Sequence, residues 1–354
     1  MKIATISTAL PEPGRKPGGS DVLLERVARR LVAGGHDVCV FSYSPAPSDA
    51  PYRHVAMQPS FLAQGKARRL TLAPLALNRL DLNGFDVCHL HGDDWFFVRR
   101  GLPTVRTFYG SSIYEALHAS RMRRCLSQAA VFPLEILSSR LATRTYSLVP
   151  GGADARWYRT SGALECGQDP DPAAASAAKH PTPTILFVGG WDGRKRGRLL
   201  AETFSRVVRA EIPDAELWMV SERVEPADGI VWFPTPTDDE LADLYRRAWT
   251  FCLPSSYEGF GIPYLEAMAH QTAVVATPNL GARFILEEGR AGLICQPEQL
   301  GAGLVSVLRD PGRRQRLEDA GLARLNHFAW ERILDLHEQA YELAIEDWRQ
   351  RRRT

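Results

Sequence analysis

The sequence predicts two α/β domains in series, and three observations predict it. Apolar runs of strand length alternate with stretches of helical spacing from the first residues onward. The alternation breaks over 161–183, where Pro, Asp, Ala and Ser follow no apolar period, and then restarts. The length, 354 residues, suits two domains of ordinary size. Hydrophobic residues make up 45% and charged residues 24%, which excludes a disordered chain. No apolar run approaches the ~18 residues of a membrane span. The start, MKIATISTALPEPG, lacks the apolar run of a secretory leader.

The elements follow in order. Lys2–Ser7 reads as a buried strand and Pro11–Gly19 as a Pro/Gly-rich loop. Val22, Leu23, Val27 and Leu31 then recur at helical spacing, with Ser20 or Asp21 as N-cap and Gly34-Gly35 as the stop. DVCVFS (37–42) is the next strand, completing a βαβ unit. Helices are expected near 61–82 and 120–141, with strands at Asp86–His91, Thr104–Phe108 and Thr145–Val149. Beyond the break, strands are expected at 184–189, 216–220, 230–233, 250–254, 273–276 and 292–294. Helices fall between them, and the chain ends on three helices, the last from about Trp330. Such sheets bind ligands beyond the carboxyl ends of their strands.

Six cysteines stand at 39, 88, 125, 166, 252 and 295 with no CxxC spacing, and four lie in apolar strand-like runs. They read as small buried hydrophobes in a reducing compartment, not as a zinc or disulfide framework. The net charge of +2 is uneven: residues 1–150 hold 19 Lys and Arg against 11 Asp and Glu. A basic first half suits an anionic partner, a membrane surface or simply a solvated face.

The most informative stretch is TFCLPSSYEGFGIPYLEAMAH (250–270). A strand ends at Pro254, a polar turn leads to Glu258-Gly259-Phe260-Gly261, and a helix opens with Pro263 in its first turn. Glycines at a helix start let backbone N–H groups approach a ligand closely. Glu258 and Glu266 bracket that start, and ionised carboxylates accept hydrogen bonds from diols. Each has a plain alternative, Glu258 as a helix-dipole partner and Glu266 as a salt-bridge residue. Arg194, Lys195 and Arg196 cluster before another helix, as a phosphate site or a solvated turn. His89 and His91 alternate on one strand and point the same way. They suit packing, an acceptor contact at His91, or a metal with Asp93 or Asp94. Asp169-Pro170-Asp171 has the metal-binding DxD pattern but sits in the linker, not at a strand end.

Glu258 and Glu266 are spaced as the E-x7-E of retaining GT-B glycosyltransferases, and EGFGIPYLEAMA resembles that motif in the large family-4 group. GGSDVLLERVARRLVAGGHDVCVFS, DVCHLH, FVGG…KRG and FAWERILDLHEQAYELA are similar to that group's other landmarks, so the resemblance spans essentially the whole chain. It implies the GT-B fold: two Rossmann-like doubly wound domains facing a cleft. The first, 1–165, would bind the acceptor, with a terminal helix near 330–350 returning to it. The second, 166–329, would bind the donor.

The resemblance implies a retaining, metal-independent hexosyltransferase that uses a nucleoside-diphosphate sugar, a UDP-sugar as the commonest case, and needs no cofactor. Glu266 would hold the ribose hydroxyls and Glu258 a sugar hydroxyl. Gly259, Phe260 and Gly261 would offer backbone N–H groups, and Gly18 and Gly19 would approach the diphosphate. The phosphate cation falls on Lys195, with Arg196 where the family has glycine; an alternative frame uses Arg196-Gly197. The family arginine is replaced by Gly190. Tyr109 stands where a histidine is usual, Pro150-Gly151-Gly152 replaces a Pro-Asn-Gly hinge, and Ala282-Arg283 replaces a Pro-Glu pair. With Tyr109 a poor base, the departing diphosphate would take the acceptor proton. Expected partners are the donor and a hydroxyl acceptor, with a peripheral membrane contact through the basic first domain admitted and no nucleic acid. The expected place is the cytoplasm or the inner membrane face. A dehydrogenase lacks support, since no GxGxxG follows a strand. A non-catalytic nucleotide- or sugar-binding homologue is the other alternative.

Overall fold

The computed structural model of the chain describes residues 1–11, 19–58, 66–98, 101–119, 122–149 and 157–353. It divides into two compact units. One comprises Met1–Ile113, Ser127–Gly167 and Trp330–Thr354, and the other Tyr114–Leu126 and Gln168–Ala329.

The first unit holds β1 (Lys2–Ile6), α1 (Gly19–Ala33), β2 (Asp37–Ser42), β3 (Arg53–Ala56), α2 (Lys66–Ala76), β4 (Val87–Leu90) and β5 (Thr104–Phe108). After the short α3 (Ser112–Leu117) and α4 (Met122–Ala129) come α5 (Phe132–Leu141), β6 (Arg144–Ser147) and β7 (Gly162–Ala163). The strands form one parallel sheet of order β3-β2-β1-β4-β5-β6-β7. β1 lies at the centre, with Ile3 paired to Val38 on one side and Val87 on the other. Such strands are covered on both faces, which is why they read as apolar runs. Ala4, Ile6, Cys39, Phe41, Cys88 and Leu90 build the core on one face with Leu77 and Leu82.

The second unit holds β8 (Thr184–Val188), α6 (Gly197–Thr203), α7 (Arg209–Glu211), β9 (Glu216–Val220), β10 (Ile230–Phe233), α8 (Asp238–Arg247) and β11 (Thr250–Leu253). Then follow α9 (Ile262–Ala269), β12 (Ala273–Ala276), α10 (Leu280–Ile285), β13 (Leu293–Ile294), α11 (Leu300–Arg309) and α12 (Pro311–Leu325). Its parallel sheet runs β10-β9-β8-β11-β12-β13. Both sheets reverse strand order beside their first strand, the doubly wound arrangement that leaves a crevice between two adjacent loops.

The terminal helix α13 (Trp330–Arg353) belongs to the first unit. Its buried Ile333, His337, Ala340, Tyr341 and Ala344 recur at helical period and pack toward β4, β5 and α1. The chain leaves the first unit after Gly167 and returns at Trp330. Gly167 has no room for a side chain, because a Cβ there would meet the Trp330 indole at 2.4 Å. One residue further on, the Gln168 amide donates to the Phe328 carbonyl at 2.9 Å.

Several elements differ from expectation. The helix expected over 120–141 is two helices. Pro133 in the first turn of α5 has no N–H to donate backwards, so α4 cannot run through it. The helix expected near 61–82 is described from Lys66 to Ala76 and closes in a 3₁₀ turn, Leu77–Arg79. The helix after β8 is interrupted by a π-turn at Phe204–Val208 before α7. The short strand β7 lies inside the stretch read as linker, and β3 and α3 were not foreseen.

Candidate active site

The second unit gathers its chemistry at the reversal beside β8. The loop after β8, Gly189–Arg196, and the loop after β11, Pro254–Gly261, leave the carboxyl ends of adjacent strands. They are stitched together by backbone. The Arg194 carbonyl accepts from the Ser256 amide at 2.8 Å and the Ser255 hydroxyl at 3.0 Å, and Arg194 Nη1 donates to the Tyr257 carbonyl at 2.9 Å.

Glu258 is the centre of this knot, only 4% exposed. Its carboxylate meets Arg194 Nη1 at 2.8 Å and Lys195 Nζ at 2.9 Å, and accepts a hydrogen bond from the Ser255 hydroxyl. Burial pushes the carboxyl up, but Lys195 and Arg194 outweigh it and hold the group below the usual carboxylate range. Burial pulls the Lys195 ammonium below its ordinary value; Arg194 adds to that, while Glu258 and Glu266 oppose it. Arg194 is raised despite burial, with Glu258 the largest opposing influence. Glu258 is therefore more than a helix-dipole partner: it carries two cations.

Arg196 adopts left-handed backbone, φ 56°, ψ 41°, as the cap before α6. That conformation favours glycine, which explains the glycine that the resemblance expects there. The geometry thus suits the frame in which Lys195 is the cation. Gly190 sits beside Glu222, whose carboxylate lies 3.6 Å from where a Cβ would be and accepts from the Trp191 amide at 3.1 Å.

α9 begins beyond Gly261, whose φ of 102° and contact with the Tyr264 ring admit no side chain. Phe260 turns its ring into the core against Phe284 and Phe328, leaving its backbone for any ligand contact. Its carbonyl fills the space of a side chain at Gly281, 2.1 Å from a Cβ placed there. Glu266, half-buried one turn into α9, accepts from the Tyr245 hydroxyl at 3.3 Å. Pro263 has no N–H and the Tyr264 amide donates to the Gly261 carbonyl at 2.9 Å, so the start of α9, beside Glu258 and Lys195, offers an oxyanion or a polyol the Ile262 amide and those of the glycine-rich turn before it. Tyr257 stacks with Tyr114, centroids 5.9 Å apart, and with His118 at 5.6 Å. No sequence pattern marks these rings, since α3 is too short to show a period.

In the first unit, the loops after β1, β4 and β5 carry the other expected residues. His91 follows β4, is buried, and shares a hydrogen bond between Nδ1 and the Tyr109 hydroxyl. Burial pulls His91 down to about 3, with His337 contributing, so it is neutral and its Nδ1 can accept a hydrogen bond from the Tyr109 hydroxyl. Burial likewise raises Tyr109 well above its ordinary value. The His89 and His91 rings face one another at 3.9 Å, and His89 bonds the Tyr341 hydroxyl at 2.9 Å and the Thr107 hydroxyl at 2.8 Å. These histidines thus join a buried network with α13.

The metal reading of His89 and His91 fails on Asp94, which pairs with the buried Arg106 at 2.9 Å. Asp93 accepts from the Thr8 hydroxyl instead. Among the described residues no three His, Cys, Asp or Glu side chains gather as a metal site. Asp171 of the DxD pairs with Arg246 at 2.6 Å and His270 at 3.5 Å. Arg283 pairs with Glu288 at 2.7 Å. Gly19 is the exposed first residue of α1, whereas Gly18 and Pro150-Gly151-Gly152 lie outside the described residues. No described helix is long and apolar enough to cross a membrane.

Residues 17–145 match the family described as Glycosyltransferase Family 4, and residues 182–310 match Glycosyl transferases group 1. The chain is 26% identical to the phosphatidyl-myo-inositol mannosyltransferase of Mycobacterium tuberculosis, over 92% of this chain and 93% of the relative. It is 30% identical to the O-antigen chain mannosyltransferase B of Escherichia coli, but over only 45% of each chain. The match thus spans less than half of that relative. Among solved structures it is similar to Anabaena HepE in complex with UDP and glucose, with TM-score 0.70, 14% identity, and 97% and 99% of the two chains covered. Matched along both halves, and built as two Rossmann-like domains of the GT-B type, the chain belongs to the family-4-like glycosyltransferases.

Proposed function

We propose that the chain moves a hexosyl group from a nucleoside-diphosphate sugar to a hydroxyl acceptor, with retention at the transferred carbon and without a metal. The observation that carries this reading is the buried Glu258 with Arg194 and Lys195 on it, at the strand-order reversal and beside the start of α9. In this reading the bond between the anomeric carbon and the diphosphate oxygen breaks. The acceptor oxygen bonds the same face of that carbon, and its proton passes to the departing diphosphate.

Arg194 and Lys195 supply the positive charge that the leaving diphosphate requires, which is most effective where water is excluded. Glu258 keeps both cations in place and accepts from a sugar hydroxyl. Glu266 accepts from the ribose diol, and the amides of Gly259, Phe260 and Gly261 face phosphate or sugar oxygens. Tyr109, held by His91, supplies a ring and a hydroxyl to the acceptor side and takes no proton at neutral pH. The mannosyltransferase relative supports a hexosyl group, and the similar structure that holds UDP and glucose supports a uridine donor.

Thermal shift against UDP-, GDP- and ADP-sugars tests the reading first. One of them should stabilise the chain, and slow hydrolysis of that donor should follow with no chelator effect. Proton NMR of the product would show the anomeric configuration unchanged. Stabilisation without any donor cleavage would favour the non-catalytic alternative, and no stabilisation by any nucleotide would refute both.

A further inference from the structure

A cavity of about 270 Å³ lies in the first unit, among Arg144, Arg159, Arg351, Asp347, Ser139 and Ser161. It sits at the amino ends of β6 and β7, between the end of α5 and the last turns of α13. His91 and Tyr109 follow the carboxyl ends of β4 and β5 in the same parallel sheet. The cavity is therefore at the opposite edge from them and belongs to no part of the reaction site.

Its chemistry is that of an anion receptor. Asp347 is engaged by Arg144 through two contacts, at 2.9 and 3.2 Å, which fixes the Arg144 fork at the wall. Three arginines against one carboxylate leave the lining with net positive charge. Arg159 is exposed and its guanidinium has no hydrogen bond or ion pair among the described residues. The Ser161 amide is used by the Thr145 carbonyl at 2.6 Å, while its hydroxyl stands at the rim. The volume is just below the ~300–1,000 Å³ of ordinary small-molecule sites, and no aromatic or large aliphatic side chain lines it. A compact polyanion fits this lining, whereas a sugar ring or an acyl chain would find nothing to pack on. Guanidinium forks match phosphate oxygens in pairs.

We propose that this cavity binds a phosphomonoester, with Arg159 on the phosphate oxygens, Arg144 meeting them through the guanidinium edge that Asp347 does not occupy, and Ser161 as an additional donor. The group can come from a soluble phosphate ester or from a lipid headgroup. The test titrates the full chain with inorganic phosphate and with sn-glycerol 3-phosphate by calorimetry at constant ionic strength. In parallel, the chain is sedimented with phosphatidylcholine vesicles with and without phosphatidic acid. Arg159→Gln should weaken binding by about tenfold or more, because charge-assisted bonds are the strong ones. Ser161→Ala should weaken it by a smaller factor. Arg290→Gln, which removes an exposed arginine of the second unit, should leave it unchanged. Arg159-dependent binding of the soluble ions supports the site with a soluble ligand. Arg159-dependent binding to phosphatidic acid vesicles alone supports it with a lipid one. No binding in either arm at millimolar phosphate, or equal losses for Arg159→Gln and Arg290→Gln, would overturn it.

Discussion

Lys195 and Glu258 arrive from two loops on adjacent strands, 63 positions apart in sequence, and meet at 2.9 Å with Arg194 on the other carboxylate oxygen. Removing the carboxylate leaves two half-buried cations side by side. Glu258→Ala should therefore destabilise the second unit by ~3–5 kcal/mol, the usual cost of breaking a buried pair from one side. Urea unfolding measures this. The double variant Glu258→Ala/Lys195→Ala should lose less than the two single changes added together, because it removes one of the stranded charges. Additive losses would show that the pair is not coupled.

The same carboxylate sets an acid limit. Its folded-state pKa lies below the ordinary 4.5, so its contribution to stability is present above that value and is lost as pH falls through the folded one. Stability of the wild type should fall more steeply below pH 4.5 than that of Glu258→Gln, as read by melting temperature against pH. Parallel curves would place the acid sensitivity elsewhere.

Glu266→Ala should weaken binding of the free nucleoside diphosphate by about 10–150-fold, since each bond from a hydroxyl to a charged acceptor contributes ~1.5–3 kcal/mol. Tyr245→Phe removes only the hydroxyl that steadies that carboxylate at 3.3 Å and should have a smaller effect in the same direction. Calorimetric titration separates them. An unchanged affinity in folded Glu266→Ala would remove this residue from the site.

Tyr109→Phe should keep most of the turnover, and Tyr109→Ala should lose more, if the tyrosine serves through its ring. His91 is held neutral down to about pH 3, so kcat should show no inflection from it between pH 5 and 8. A fall of roughly three orders of magnitude in Tyr109→Phe, ~4 kcal/mol of barrier, would mean that the hydroxyl enters the chemistry.

Arg196→Gly should raise stability by ~1 kcal/mol, by relieving a left-handed conformation that costs a side-chain-bearing residue about 1–2 kcal/mol. Nucleotide affinity should stay within a few-fold, because Arg194 and Lys195 carry the contacts to Glu258. A large loss of affinity would assign the phosphate to Arg196.

The fold was legible where apolar period was strong. β1, β2, β8 and β11 are covered on both faces, so their sequences are nearly continuous apolar runs, while the equally buried β4 and β5 carry His89 and Arg106 among their apolar residues. β3 escaped because Arg53-His54-Val55-Ala56 is an edge strand with little buried surface and no pattern to read. Glu258, Glu266 and Lys195 were visible through spacing and composition. The partnership of Arg194 with Glu258 was not, because it depends on two turns folding against each other through the Ser256 amide and Arg194 carbonyl. His337 and Tyr341, which build the network under His91, lie about 250 residues away on a helix whose apolar stripe alone was readable.

Gly167 against Trp330, and Gln168 bonded to Phe328, mean that residues 168–329 begin and end at neighbouring points. In genetic terms this makes most of the second unit a cassette. A crossover at each of these two positions exchanges a segment whose ends already lie together, so a homologous half can be grafted without a new linker. The exception is Tyr114–Leu126, which belongs to the second unit yet is encoded within the first. A chimaera would keep the host's Tyr114 and His118 against the incoming counterpart of Tyr257. Recombination between relatives is thereby free to change the second unit only where those rings remain compatible.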